Sequence, residues 1–415
     1  MFAWPEIYIP QLPRTLILPP LKLRDSYSQE LCQIPVDETF TMYICGITPY
    51  DATHIGHAAT YLTFDLIHRY MKAQGTTVRF LENVTDIDDP LFERAERDQV
   101  SWRELADGQI RLFTADMTNL RVLPPMSLTT VTESMPEIIE FVSALQRQGL
   151  TYTIEGDTYL DARQVTDFED LPFAYQESLQ LFRERGGDPG REGKRHPLDP
   201  LLWRSSGEGE PSWPSPVGYG RPGWHVECNA ISHTLIESEP KGSLSFQGGG
   251  ADLKFPHHYM TALQNKARYG SRFAKLFVHT GMIRYQGEKM SKSLGNLVFV
   301  SELVSQGVHP MIIRVALLSS PYFEDRDWND EIVARASQLV TGLLRVLSRE
   351  LVLPYEDVMS KIVLALSDNL NSTLVFQILE EYVSAVNRTD DDSEALTQRP
   401  GALSRFLDSM LGIAL

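Results

Sequence analysis

The sequence predicts an α/β protein built around a parallel sheet, with an inserted segment and a helical C-terminus. Three observations carry that prediction. Residues 41–84 hold a strand–helix–strand unit, the mark of parallel pairing. Residues 245–270 read again as strand, glycine turn and helix. Over 328–415 the apolar periodicity is helical, broken near Pro354 and at 389–392. With 415 residues, 42% of them hydrophobic, the chain can fill two to four domains at roughly 100–200 residues each.

Taken in order, residues 1–40 read as an irregular N-terminal arm. Pro5, Pro10, Pro13, Pro19 and Pro20 break it, and it lacks the basic start and apolar run of a signal peptide. The β-prone run 41–45 stops at Gly46 and Pro49. From His57 onward Ala58, Tyr61, Leu62, Phe64, Leu66, Ile67 and Tyr70 suit a buried helix, which Gly75 ends. A second strand at 78–84 runs into the acidic loop 85–90. Residues 41–125 and 216–282 are expected to form the sheet domain, with 126–215 inserted between them. Within the insertion 184–200 reads as an exposed loop, and 210–224 reads as a folded, aromatic-rich loop. Residues 276–296 read as strand, tight turn and basic loop, the loop falling in a connecting region 283–330. Residues 331–415 read as a helical bundle.

Composition narrows the function. The formal net charge is −17, a poor basis for gripping nucleic acid by bulk electrostatics. The bundle is itself acidic, with seven Lys/Arg against twelve Asp/Glu, and Lys361 is its only lysine. Cys32, Cys45 and Cys228 are too few and too scattered for a disulfide framework; they fit a reducing compartment, or a metal site. No stretch approaches the ~20 apolar residues of a membrane span. The expectation is a soluble cytoplasmic protein with no membrane partner.

Two motifs carry chemistry. His54-Ile55-Gly56-His57 sits where a strand-end loop enters a helix, whose N-terminal N–H groups and positive dipole end favour phosphate. Gly56 clears room for a nucleotide base, and the two imidazoles can donate to phosphate oxygens. The plainer alternative is a pair of polar residues capping the helix. Far downstream, Lys289-Met290-Ser291-Lys292-Ser293 sets two lysines on a short loop, suited to neutralising a departing pyrophosphate. A solvated basic turn is the alternative there. Their order, each at a strand end, favours a nucleotide site.

Together these motifs resemble the class I aminoacyl-tRNA synthetase catalytic core. The segments YICGITPYDATHIGHAATYLTFD, ENVTDIDDP, GEPSWPSPVGYGRPGWHVEC, QGGGADLKFPHH and HTGMIRYQGEKMSKSLGN resemble its cysteinyl branch. CGITPYDATHIGHAATYLTFDLIHR, DDPLFERA and ERGGDP are more similar still to the cysteine ligases of the mycothiol pathway. The resemblance covers about 40–330 strongly and the tail weakly. It implies a Rossmann-like sheet as the catalytic domain, ATP as substrate with Mg²⁺ accompanying it, and a monomer; the KMSKS loop is expected to be mobile without ATP, because glycines flank it and its charges repel. It also implies ligation of cysteine to the amine of glucosaminyl-inositol.

A cysteine substrate suits the residues. Cys45 lies at a strand end, Cys228 follows Trp224-His225, and His257-His258 opens a helix. Two thiolates and one imidazole make a three-ligand zinc set with a position left open. Open zinc can select a thiolate over a hydroxyl, where shape alone discriminates poorly. The plainer alternative is two buried thiols acting as small hydrophobes. The resemblance favours His257 over His258, which is left to cap or pack. It also exposes a departure: the cysteinyl-tRNA synthetases place a glutamate four residues after the ligand histidine, and here that residue is Thr261. His225 is not expected to replace it, so zinc is expected to have three protein ligands.

The resemblance implies further contacts to the cysteinyl-adenylate from Cys45, Gly46, Ile47, Thr48, Thr60, Asn83, Val84, Thr85 and Ile283, and from Gly250 and Ala251, with Asp252 accepting from a ribose hydroxyl or from the incoming sugar. Trp224 is either a wall of the amino-acid pocket or a core tryptophan. Asp86, Asp88 and Asp89 either cap the next helix, the favoured reading, or face a polar second substrate. Three functions compete: the ligase, a cysteinyl-tRNA synthetase, and an inactive paralogue used as a binding module. The acidic tail argues against the second, because tRNA binding draws on phosphate contacts. Intact motifs argue against the third. The expected partners are small molecules: ATP, cysteine and glucosaminyl-inositol.

Overall fold

The computed structural model describes residues 4–13, 15–166, 168, 170–207, 210–236, 243–290, 294–390 and 392–415, without the side chains of 234 and 236. The arm is less irregular than expected. Strands β1 (Lys22–Arg24) and β2 (Leu31–Gln33) pair as an antiparallel hairpin. Asp25 builds the turn by accepting from the N–H groups of Tyr27 and Ser28. Its other oxygen accepts from Phe277 N at 3.0 Å, a long-range bond that local sequence pattern does not reveal.

The first half of the sheet domain runs β3 (Thr39–Ile47), α1 (Ile55–Ala73) and β4 (Thr77–Val84). Gly75 follows with φ +87°, the left-handed turn that closes a helix. Then come α2 (Asp89–Asp98), α3 (Trp102–Asn119), β5 (Ser127–Thr130) and α4 (Met135–Arg147). Strand β4 pairs in parallel with both β3 and β5.

A second sheet follows, from β6 (Thr151–Ile154) and β7 (Asp157–Leu160), past α5 (Tyr175–Glu184), to β8 (Leu201–Ser205), β9 (Trp213–Ser215) and β10 (Gly218–Pro222). Its order is β6-β7-β8-β10-β9 and its pairings are antiparallel. The strand pairings therefore disagree with insertion bounds of 126 and 215. Strand β5 belongs to the parallel sheet, while β9 and β10 belong to the antiparallel one. The aromatic loop at 210–224 is mostly this β9–β10 hairpin. It lies close on β8 because Gly220 has no side chain; a Cβ there would sit 2.1 Å from the Arg204 carbonyl oxygen. The loop at 184–200 is irregular, as expected, but it is packed. Lys194 is 2% exposed at its side chain and pairs with Asp188 at 2.9 Å, and buried Asp199 accepts from Ala162 N.

The chain returns through α6 (Trp224–Ile236), β11 (Leu244–Gly250), α7 (Tyr259–Tyr269) and β12 (Ala274–Thr280). The completed sheet has the order β12-β11-β3-β4-β5, and every pairing is parallel. Strand order reverses between β3 and β11, so their C-terminal ends frame the crevice where open α/β sheets take ligands. A small sheet of β13 (Ile283–Tyr285), β14 (Glu288–Lys289) and β15 (Arg326–Trp328) connects onward, with α8 (Val300–Ser305) and α9 (Pro310–Leu318) between.

Helices α10 (Asp330–Leu347), α11 (Glu356–Ser367), α12 (Ser372–Arg388) and α13 (Gly401–Leu411) form the C-terminal bundle. A third break, at 368–371, escapes the pattern; Asn369 and Leu370 take φ of 55° and 50° there. One core joins α1, the sheet and the bundle, and a second lies between the sheet and the insertion. The α/β architecture with an insertion and a helical C-terminus is thus the one the sequence predicts. Among the described residues no helix is long and apolar enough to cross a membrane.

Candidate active site

Cys45 stands near the end of β3, Cys228 in the second turn of α6, and His257 in the kinked stretch Lys254–His258 that leads into α7. The fold brings all three together. The two sulfurs lie 3.8 Å apart, and Cys228 Sγ lies 3.1 Å from His257 Nε2. The three donor atoms fall within 4.8 Å of one another, and all three side chains are buried. Two sulfurs held at ~2.3 Å by a tetrahedral zinc would stand about 3.8 Å apart, so the donor set fits the ion. The thiols also divide their charge. Burial opposes ionisation of Cys228, but the Cys45 thiol and the His257 imidazole hold its pKa well below the ordinary value. Burial, and then Cys228, push Cys45 well above it.

Thr261 is turned away from this cluster. Its hydroxyl lies 2.8 Å from the His257 carbonyl oxygen and 3.3 Å from that of His225. Among the described residues no fourth His, Cys, Asp or Glu joins the group. His225 nevertheless touches the site in a way the sequence did not reveal. Its Nδ1 lies 3.0 Å from His257 Nδ1, the nitrogen facing away from the sulfurs, where it orients the ring. His258 makes no capping bond at α7. Its Nε2 instead lies 3.1 Å from Cys45 Sγ, and its Nδ1 lies 2.7 Å from His279 Nε2. Gln247 completes this side, with Nε2 4.0 Å from Cys45 Sγ.

The loop after Cys45 is locked to β4. Gly46 N donates to Asn83 Oδ1 at 3.0 Å, as does the Tyr43 hydroxyl. A Cβ on Gly46 would stand 1.6 Å from the Asn83 carbonyl oxygen, so only glycine fits. Thr85 N donates to Ile47 O at 2.9 Å, and Val131 N donates to Val84 O at 3.0 Å. Asn83 Nδ2 reaches Thr85 Oγ1, which donates in turn to buried Glu227 at 3.4 Å. Gly46, Ile47, Thr48, Asn83, Val84 and Thr85 thus line one strand-end ledge.

His54 is the N-cap of α1, its Nδ1 accepting from the N–H groups of Gly56 and His57. The His54 and His57 rings stack at 3.8 Å, and His57 is exposed. Gly56 lies under the downstream motif, since a Cβ on it would sit 3.5 Å from Met290 Cε. Lys289 is exposed on β14, and Lys292, with Ser291 and Ser293, lies outside the described residues. Thr60 on α1 meets Thr280 at the end of β12, hydroxyl to hydroxyl at 2.8 Å.

Trp224 is half-buried and stacks on His257 with ring centres 4.3 Å apart. Gly250, Ala251 and Asp252 form the turn that ends β11, and Ile283 is buried on β13. Among the acidic residues Asp88 caps α2, the favoured reading, and burial pushes its carboxyl up to about 6. Asp86 accepts from Thr132 N at 3.0 Å, and Asp89 pairs with Arg204 at 2.8 Å and with Arg221.

A family model described as the tRNA synthetases class I (C) catalytic domain matches residues 32–338. L-cysteine:1D-myo-inositol 2-amino-2-deoxy-alpha-D-glucopyranoside ligases from Acidothermus cellulolyticus and Mycolicibacterium smegmatis are each 44% identical to this chain, with 100% of both chains covered. A ligase of the same name, numbered 2, from Corynebacterium jeikeium is 43% identical over 100% of both chains. The chain belongs to this ligase family. Members of the family are enzymes with a class I synthetase-like catalytic domain. Methionyl-tRNA synthetase from Mycobacterium tuberculosis, solved with methionyl-adenylate, shares the fold at TM-score 0.60 and 18% identity, covering 90% of this chain and 88% of that one.

Proposed function

We propose that the chain joins L-cysteine to the amine of glucosaminyl-inositol, consuming ATP and releasing AMP and pyrophosphate, in mycothiol biosynthesis. The observation that carries this reading is the buried Cys45–Cys228–His257 set with Thr261 bonded away from it, a three-donor set that leaves a tetrahedral ion one position for a substrate thiolate. A zinc ion held by these three residues supplies preference for sulfur over oxygen, and so for cysteine over serine.

The chain's own groups position the rest. The cysteine carboxylate attacks the α-phosphorus of ATP, the bond to the β-phosphate bridging oxygen breaks, and pyrophosphate leaves. His54, Gly56 and His57 at the start of α1 hold the phosphates, with Lys289 and Lys292 offsetting the charge that develops on pyrophosphate. Gly46, Ile47, Thr48, Thr60, Asn83, Val84 and Thr85 cradle the cysteinyl-adenylate with Gly250, Ala251, Asp252 and Ile283, and Trp224 walls its amino-acid end. The neutral sugar amine then attacks the acyl carbon, AMP leaves with the electron pair, and the ammonium loses its proton to give the amide. Mg²⁺ enters with ATP. The reading makes the protein a monomeric cytoplasmic enzyme with no nucleic-acid partner.

AMP formation from ATP and cysteine, measured in parallel with glucosaminyl-inositol and with total tRNA, tests the reading. Turnover with the sugar and none with tRNA is expected. Turnover with tRNA alone would replace the ligase by a cysteinyl-tRNA synthetase.

A further inference from the structure

Two cavities, of about 340 and 400 Å³, adjoin along the seam between the inserted sheet and the strand ends of the parallel sheet. Arg185, Leu201, Arg204 and Trp224 line both. Because Trp224 also stacks on His257, the seam ends against the cysteine-selecting cluster. Arg185, which also lines both cavities, reaches out of the insertion to pair with Asp252 at 3.1 Å. Asp252 stands on the turn after β11, where the adenylate is expected, so this ion pair ties the inserted domain to the reaction centre.

The wall has an unusual electrostatic balance. Each of the four arginines that line the seam already has a carboxylate. Arg185 holds Asp252, Arg204 and Arg221 share Asp89, and Arg191 pairs with Asp157. Asp88 and Glu227 add further carboxyls to the lining. A phosphate-bearing ligand would meet guanidiniums whose charge is already offset and would be repelled by the carboxylates beside them. A polyol would not, because a paired guanidinium retains further N–H donors and a paired carboxylate retains acceptor lone pairs. A volume of this size suits a ligand of one or two sugar rings.

We infer that this seam is the acceptor subsite, and that it selects an uncharged or cationic hydroxyl-rich molecule and rejects phosphorylated ones. Arg204 and Arg221 donate to its hydroxyls, Asp88 accepts from them or from the amine, and Trp224 packs against a ring face. The inserted domain thereby acts as the acceptor-reading module. The inference rests on the ligase reading.

Cysteine-dependent ATP–pyrophosphate exchange reports the first half-reaction without an acceptor, so the two halves can be separated. In Arg204→Ala the KM for glucosaminyl-inositol should rise at least tenfold, while exchange kinetics for ATP and cysteine stay within twofold. Arg204→Lys, which keeps the charge but loses the fork, should fall between. Free myo-inositol should compete with the acceptor in the wild-type enzyme, and inositol 1-phosphate should not. An unchanged acceptor KM in Arg204→Ala overturns the subsite. So does stronger competition by the phosphate than by inositol, or a parallel loss of both half-reactions. If the wild-type chain ligates no sugar amine at all, the functional reading itself falls and takes the subsite with it.

Discussion

The Cys45–Cys228–His257 cluster and the Asp65–Arg69–Arg314 cluster are both buried and both assembled from distant parts of the chain, yet they are completed in different ways. Asp65 on α1 accepts from Leu123 N at 2.9 Å, from Arg69 at 2.7 Å and from Arg314. The arginines spend their remaining donors on carbonyls. Arg69 reaches Asp408 O at 2.8 Å, and Arg314 reaches Leu411 O at 2.6 Å and Leu120 O at 2.8 Å. Two helix C-termini, those of α3 and α13, are thereby capped from the side. Around the sulfurs the bonding is sparser. Gln247 Oε1, His279 Nδ1 and Asn229 Oδ1 are buried with no hydrogen-bond partner. A polar cluster that satisfies itself fixes a fold, and one that does not is suited to bind something else.

The largest effect should come from breaking the cysteine–histidine cluster. Cys228→Ala removes a donor from the proposed zinc set and should lower cysteine-dependent pyrophosphate exchange by about 10⁴-fold or more, about 5.4 kcal/mol. Bound zinc per chain should fall with it, while the urea midpoint shifts by no more than ~1–2 kcal/mol of stability. Retention of zinc and of exchange would remove the functional half of the contrast.

Breaking the Asp65 cluster should do the reverse. Arg314→Leu leaves Asp65 short of one cation and strands the carbonyls of Leu120 and Leu411 in the core. The expected cost is about 3–5 kcal/mol of unfolding free energy, read from urea denaturation. The exchange rate per folded molecule should hardly change. A comparable loss of specific activity would mean that the bundle and the site are coupled and that the contrast is drawn too sharply.

A smaller effect tests whether His225 belongs to the site. It touches His257 on the nitrogen away from the sulfurs, so His225→Ala should weaken zinc affinity by roughly 10–100-fold without abolishing binding. Competition with a chelator measures this directly. An affinity equal to wild type would make His225 a packing residue.

How much of this was legible in the sequence depends on how far apart the partners lie. Strands, helix and glycine stops from 41 to 84 follow from local period and turn chemistry, and they hold within two residues. The donor types were legible because cysteine is rare in this chain, and two of its three cysteines flank recognisable motifs. The Thr261 departure was visible too, as a residue type at a fixed offset. What escaped was pairing across the chain. His225 meets His257 across 32 positions and Arg69 meets Asp408 across 339, and no local period records either. The insertion bounds slipped for the same reason, since β5 earns its place in the parallel sheet only by pairing with β4.

Protonation sharpens the contrast further, because another buried carboxyl lacks the arginines that Asp65 has. Asp116 on α3 is 2% exposed, its Oδ2 has no partner, and burial pushes its pKa up to about 7. For Asp65 burial also acts upward, but Arg69 and Arg314 outweigh it and hold the pKa below the ordinary value. The two groups therefore tilt stability in opposite directions. Asp116 binds its proton more tightly folded than unfolded, so its contribution is complete below about pH 4 and is lost as pH rises through 7. The Asp65 contribution is present above about pH 4 and is lost as pH falls. Asp116→Asn should be more stable than wild type by a margin that grows between pH 5 and pH 8, by about 1–2 kcal/mol once water access is allowed for. Asp65→Asn should be less stable than wild type at pH 7, by a margin that shrinks towards pH 3. Thermal melts of the three proteins across that range decide the matter. If the Asp116→Asn margin stays flat, that carboxyl is solvated or paired, and the arginines at Asp65 are no longer what separates the two sites.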